Sequence, residues 1–80
     1  MNLQNPKKLL LTSRNIEYDD YEFEVSGISH YYIVNAGELK EKQIKFKTDV
    51  ADDELILVIY FMDGSFAVAS LANYNMSFIY

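Results

Sequence analysis

Between Glu17 and Glu24 the chain reads Glu-Tyr-Asp-Asp-Tyr-Glu-Phe-Glu, five carboxylates and three aromatic rings in eight residues. The chemistry such a stretch offers is recognition. Asp20, Glu22 and Glu24 alternate with Tyr21, Phe23 and Val25, a period of two that predicts a strand with one acidic face. Carboxylates on alternate strand positions recur about every 6.6 Å, which resembles the phosphate spacing along one nucleic-acid strand. Tyr18 and Tyr21 add aromatic anchors of the kind that dominate binding energy. The expected partner-binding residues are therefore Tyr18, Asp19, Asp20, Tyr21, Glu22 and Glu24. A competing expectation places this strand beside one carrying Lys45 and Lys47, where opposite charges pair across the sheet and merely stabilise a solvated face.

Charge is sorted along the chain: residues 1–14 carry +3, residues 15–26 carry −5, residues 38–47 carry +2 and residues 49–54 carry −4. Asp49, Asp52, Asp53 and Glu54 thus form a second acidic patch. With a net charge of −5, direct nucleic-acid binding is disfavoured, because phosphate neutralisation needs clustered Lys and Arg. A protein partner with a basic surface is the natural complement.

Residues for catalysis are sparse. His30 is the only histidine and cysteine is absent, so no transition-metal site of the usual ligand types assembles. Asp49, Asp52, Asp53 and Glu54 lack the spacing and glycine of a calcium loop. No G-x-S-x-G, phosphate-cradling glycine loop or H-E-x-x-H occurs, and no cofactor is expected. An enzyme is the third reading, with His30 beside Asp19 or Asp20 as its best residues. Asn75-Met76-Ser77 matches a glycosylation acceptor by chance composition.

The elements that position these groups follow from period and turn chemistry. Leu55 to Met62 are apolar or aromatic throughout and lead to Asp63-Gly64, after which Phe66 to Leu71 alternate large and small. This predicts a β-hairpin with a type I′ turn at Asp63-Gly64, whose first arm is a central strand covered on both faces. Asn5-Pro6 before Lys7 to Leu11 has the order of a helix cap and first turn, and a short helix over 6–13 is preferred to a strand over Lys8 to Thr12. The acidic strand is expected to pair with the run Ser29 to Val34 through a hairpin at Gly27-Ile28. Asn35, with Glu38 three residues on and Val34 and Leu39 as a staple, marks a helix start, and Glu38 with Lys42 forms an i,i+4 pair. Ile44, Phe46 and Thr48 alternate with charged residues as a further strand, and Met76 to Tyr80 closes the sheet. The fold class is mainly β, bordering on α+β. It is an antiparallel meander of five or six short strands, curled toward a barrel, with one N-terminal helix and at most one or two helical turns near 36–43. Residues 1–80 form a single domain.

A chain of 80 residues without cysteine has no disulfide or thiolate staple and relies on apolar burial or self-association. The first residues lack the order of a signal peptide, and the apolar C-terminal half is split at Asp63-Gly64, so no membrane span is expected and the location expected is the cytoplasm. Asn, Lys, Ile, Tyr and Phe make up 31 of 80 residues, the usage of AT-rich genomes, which points to a low-G+C bacterium or a virus infecting one. The leading expectation is a non-enzymatic regulator or inhibitor, in its finest form a phage-borne nucleic-acid mimic acting on a basic host enzyme. The alternative is a homodimeric assembly module that buries its apolar excess through Phe78, Ile79 and Tyr80.

Overall fold

In the computed structural model, which describes residues 5–46 and 49–80, the chain forms six strands and one helix in the order β1 (Lys8–Ser13), β2 (Tyr21–Glu24), β3 (Ile28–Asn35), α1 (Ala36–Glu41), β4 (Leu55–Phe61), β5 (Phe66–Ser70) and β6 (Tyr74–Ile79). The strands make two antiparallel sheets ordered β2-β1-β6 and β3-β4-β5. Among the described residues the sheets remain two, without closing into a barrel. The expected meander holds for β3-β4-β5, while β6 returns to the other sheet and pairs with β1 from Lys8↔Ile79 to Ser13↔Tyr74.

β4 explains the arrangement. From Ile56 to Ile59 its apolar run has no wet face: Leu57 and Ile59 pack with Leu9 and Leu11 of β1 between the sheets. Ile56 and Val58 pack on the opposite face with Ala36 and Leu39 of α1. All eight side chains are buried. The layers are therefore sheet, sheet and helix, with β4 central in its sheet and covered on both sides as its composition predicts.

The turn at Asp63-Gly64 joins β4 to β5, but its type differs from the one expected. Gly64 has φ of 89° and Asp63 keeps a negative φ. The Gly64 N–H donates to Phe61 O at 3.1 Å, and the Phe61 N–H donates to Ser65 O at 2.9 Å. This is a three-residue loop, a type I turn closed by a left-handed glycine, and it needs φ > 0 at one position only. The Asp63 carboxylate then accepts from the Ser65 N–H at 2.8 Å and the Ser65 hydroxyl at 2.5 Å.

Three local expectations give way to long-range pairing. Residues 8–13 are β1, not a helix: Leu9 and Leu11 alternate into the core while Lys8 and Thr12 face outward, and β1 is the middle strand between β2 and β6. The cap at Asn5-Pro6 is outweighed by two strand partners. β2 pairs with β1 rather than with the next strand, because the 3-10 turn Val25–Gly27 carries the chain from one sheet to the other. Residues 44–46 form no strand; Lys47 and Thr48 of that expected strand lie outside the described residues. Ile44, Phe46 and Val50 instead pack over the helix side of β4.

α1 begins at Asn35 as predicted, yet the Asn35 side chain makes no capping hydrogen bond. The free N–H groups of the first turn are met by backbone: Ala36 donates to Glu54 O at 2.9 Å and Gly37 to Asp52 O at 3.0 Å. A Cβ at Gly37 would stand 3.3 Å from Asp52 Cβ, so glycine admits the loop. The helix ends with Gln43 at φ 66°, Gln43 N–H on Lys40 O and Ile44 N–H on Leu39 O. That is a Schellman motif, after which Ile44 packs on the apolar cluster that holds Leu39.

Candidate protein-binding site

β1 and β2 are joined by residues 14–20, and the sequence there is a set of side chains that bond their own backbone. The Asn15 N–H donates to Ser13 Oγ at 3.0 Å, and the Ser13 hydroxyl donates back to Asn15 O. The Glu17 N–H donates to Asn15 Oδ1 at 3.0 Å, and the Tyr18 N–H to Asn15 O at 3.1 Å. Asp20 closes the loop by accepting the Ser13 N–H at 2.7 Å, while the Arg14 N–H reaches Asn73 O at 2.8 Å. Local bonding of this kind is what Ser, Asn and Asp offer in turns. The result is an ordered loop whose tip is Ile16, a side chain fully exposed at 101%.

Behind the tip stands an aromatic group. Tyr18 and Tyr21 each approach Tyr74 of β6, with ring centroids 6.1 and 6.0 Å apart, and Tyr21 stacks toward Phe23 at 6.4 Å. Tyr21, Phe23 and Tyr74 border a crevice of about 180 Å³ between the two sheets, floored by Leu11, Ile59, Ala67 and Ala69. The small residues of β5 leave this space open. Burial first, then the neighbouring Tyr21 and Tyr18 and the charges of Asp19 and Asp20, hold the Tyr74 hydroxyl above its ordinary pKa of 10.0.

The six residues expected to bind a partner divide between two faces. Tyr18, Asp19, Asp20 and Tyr21 gather at the loop and crevice. Glu22 and Glu24 point to the outer face of the β2-β1-β6 sheet, where Lys8 Nζ lies 2.6 Å from Glu22 and 3.9 Å from Glu24. The cation that meets the acidic strand is thus Lys8 across the β1–β2 ladder, not Lys45, which is exposed in the segment after α1; Lys47 lies outside the described residues. Glu22 and Glu24 also raise the Lys8 pKa above 10.5, the Glu22 hydrogen bond contributing most.

The second acidic patch is partly engaged as well. Asp52 accepts from Lys40 Nζ at 2.9 Å, and Lys40 Nζ also bonds Val50 O. Glu54 accepts the Ser70 hydroxyl at 2.9 Å and is half-buried, whereas Asp49, Asp52 and Asp53 are exposed. Of the residues expected to self-associate, Phe78 turns into the core between the sheets, whereas Ile79 and Tyr80 are exposed. His30 lies on β3 with its ring stacked on Tyr60 at 4.7 Å and its Nδ1 3.2 Å from Ser29 Oγ. Asp19 and Asp20 belong to the loop of the other sheet. Among the described residues no group of three or more His, Asp or Glu is placed to hold a metal ion, and no helix is long and apolar enough to cross a membrane.

Ile16 and Tyr74 are the residues that sequence reasoning missed. Ile16 fits neither the period-two nor the helical pattern around it, and an apolar residue outside any period between Asn15 and Glu17 is the signal that marks it. No family model matches the chain, and comparison with curated proteins and with solved structures returns no match.

Proposed function

We propose that the chain is a non-enzymatic binding module that docks a protein partner with a basic surface through Ile16, Glu17, Tyr18 and Asp19, backed by Tyr21 and Tyr74. The observation that carries this reading is the fully exposed Ile16 held at the tip of a hydrogen-bonded loop. An apolar side chain kept in water by a pre-ordered backbone costs little further ordering on binding and supplies a hot-spot anchor. Around it Glu17, Asp19 and Asp20 form a negative rim, offset in part by Arg14 of the same loop and by Lys45, which lines a pocket with Tyr18, and the excess of acid steers a cationic surface toward the anchor. Tyr18 and Tyr21 extend the contact toward the crevice.

The finer form of the reading, an antagonist of virus origin acting in a host cytoplasm on a basic nucleic-acid enzyme, draws on composition and charge. Within it, mimicry of a phosphate row by Asp20, Glu22 and Glu24 is weakened by Lys8, and the loop is the better surface. The test is affinity capture from a bacterial lysate with the intact chain and with Ile16→Asp and Glu17→Lys/Asp19→Lys variants. A basic protein retained by the wild type, released by salt and lost from both variants is expected. Equal retention by all three chains overturns the proposal.

A further inference from the structure

Each sheet has two edge strands, and they differ in what they leave open. β2 carries Glu22 and Glu24. β5 has five residues, and Val68, Ala69 and Ser70 share a pocket with Tyr18, Phe46, Val50 and Tyr74. β6 interrupts its outward face with Asn75 and Ser77. β3 is the longest at eight residues, Ile28–Asn35, and pairs with β4 alone.

No charged residue occurs between Val25 and Gly37, nor in the neighbouring Leu55 to Met62. β3 therefore lacks the lysines, acids and proline with which exposed sheet edges are blunted, and the register shift between Ile28 and His30 is confined to its start, leaving Tyr31 to Asn35 in regular register with β4. Of its exposed side chains, Tyr31 and Ile33 are apolar, and Ser29, His30 and Asn35 are polar but carry no formal charge. Tyr31 and Ile33 pair with Ile59 and Leu57 and so point to the side of the sheet that faces β1, yet each remains 44% exposed, and Leu55 beside them 52%. The other sheet does not reach far enough to cover them. Phe78 meets Tyr31 at 6.1 Å, and Tyr80 extends the same apolar surface beyond it.

We propose that β3 pairs antiparallel with β3 of a second copy of this chain, joining the two β3-β4-β5 sheets into one continuous sheet of six strands. Charge selects the occupant. A molecule of net charge −5 repels its own copy wherever acids face each other, and this uncharged edge is where two copies meet without doing so. A basic partner gains nothing at a surface that carries no acid, and its gain lies at the β1–β2 loop. The strand is also self-complementary: a two-fold axis at Tyr32 sets Tyr31 opposite Ile33 of the partner, an aromatic and a β-branched residue on one face. The same axis keeps both β6 strands on one side of the joined sheet, so the exposed Tyr80 of each copy, which lines a pocket with His30 and Tyr31, lies beside the seam. The dimer presents two Ile16 loops, and a partner with two sites gains avidity from it.

The intact chain at high micromolar concentration is expected to sediment with twice the mass of one chain. Ile33→Lys, which brings two like charges to the seam, is expected to sediment as a folded monomer with an unchanged circular dichroism spectrum, while Thr12→Lys, on the outer face of the other sheet, stays dimeric. Should Ile33→Lys fail to fold, Tyr32→Cys supplies the reading instead. The chain has no other cysteine, and opposed positions of an antiparallel pair approach within disulfide reach, so oxidation is expected to link two chains. A wild-type monomer at that concentration overturns the proposal. So does a dimer that survives Ile33→Lys, or a Tyr32→Cys chain that does not cross-link.

Discussion

Asp63 holds the β4–β5 turn with one carboxylate oxygen, which accepts both the hydroxyl and the N–H of Ser65. The hydroxyl bond is the larger cause, the N–H the second, and together they keep the carboxyl below its ordinary pKa of 3.8. Because the folded-state value is depressed, the turn's gain is present above pH 3.8 and is lost as pH falls through the lower folded value. Asp63→Ala is therefore expected to lower the thermal midpoint at neutral pH, with the gap to wild type closing in acid below pH 3.8. Calorimetry across that range checks it, and a gap that stays constant with pH refutes the assignment. Leu57 of β4 belongs to the opposite extreme of burial, fully enclosed between the two sheets. Leu57→Ala removes its packing and leaves a cavity, a loss of about 2–5 kcal/mol, which for so small a domain takes most of the stability. Urea unfolding measures that loss. Ile16→Asp, by contrast, is expected to leave the urea midpoint unchanged, since nothing packs on Ile16, and to abolish partner capture.

At the scale of the element, α1 carries a residue against its own preference. Gln43 occupies the left-handed position of the Schellman motif at φ 66°, where a Cβ is strained and glycine is not. Gln43→Gly is expected to stabilise the protein by about 0.5–1 kcal/mol, and a lower urea midpoint refutes it. The hairpin turn makes the converse case. Gly64 at φ 89° has open space around it, so Gly64→Ala meets no clash and its cost is backbone strain alone, roughly 1 kcal/mol. On the outer face of the β1–β2 ladder, Lys8 bridges Glu22 and Glu24 at an exposed site. Its raised pKa places that contribution below pH 10.5 and removes it as pH rises through the folded value. Salt screens it, as it does any exposed pair.

At the scale of the whole molecule, polar and apolar tasks are placed apart. Acids concentrate at the β1–β2 loop and at the connection from residue 49 to Glu54, whereas the strands from Leu55 onward are uncharged apart from Asp63 in their turn. Binding at the loop is expected to weaken steeply with ionic strength, and pairing at β3 is expected to change little, because no charge stands there to be screened. Sedimentation and capture at matched salt concentrations measure the two separately. Salt-insensitive capture would place the partner on an apolar surface instead of the acidic loop.

What the sequence by itself determined is whatever depends on neighbours within a few residues. The unbroken run Leu55 to Met62 demanded cover on both faces, Asp63-Gly64 demanded a reversal, and the alternation Tyr21, Phe23, Val25 demanded a strand with its acids to one side. Asn35 likewise marked where α1 starts. Tertiary structure alone decided which strands meet. Leu9 and Leu11 suit a helix face or a strand face equally, and only the ladders to β2 and β6 select the strand. Ile44 and Phe46 alternate as a strand does, but backbone pairing needs a partner that the pattern does not supply. Lys8 and Lys45 are alike as residues, and it is the β1–β2 register that brings the first to Glu22. Ile16 became a candidate anchor by the same rule: exposure is a property of what fails to pack against a side chain, and that is set by the whole fold rather than by the residues beside it.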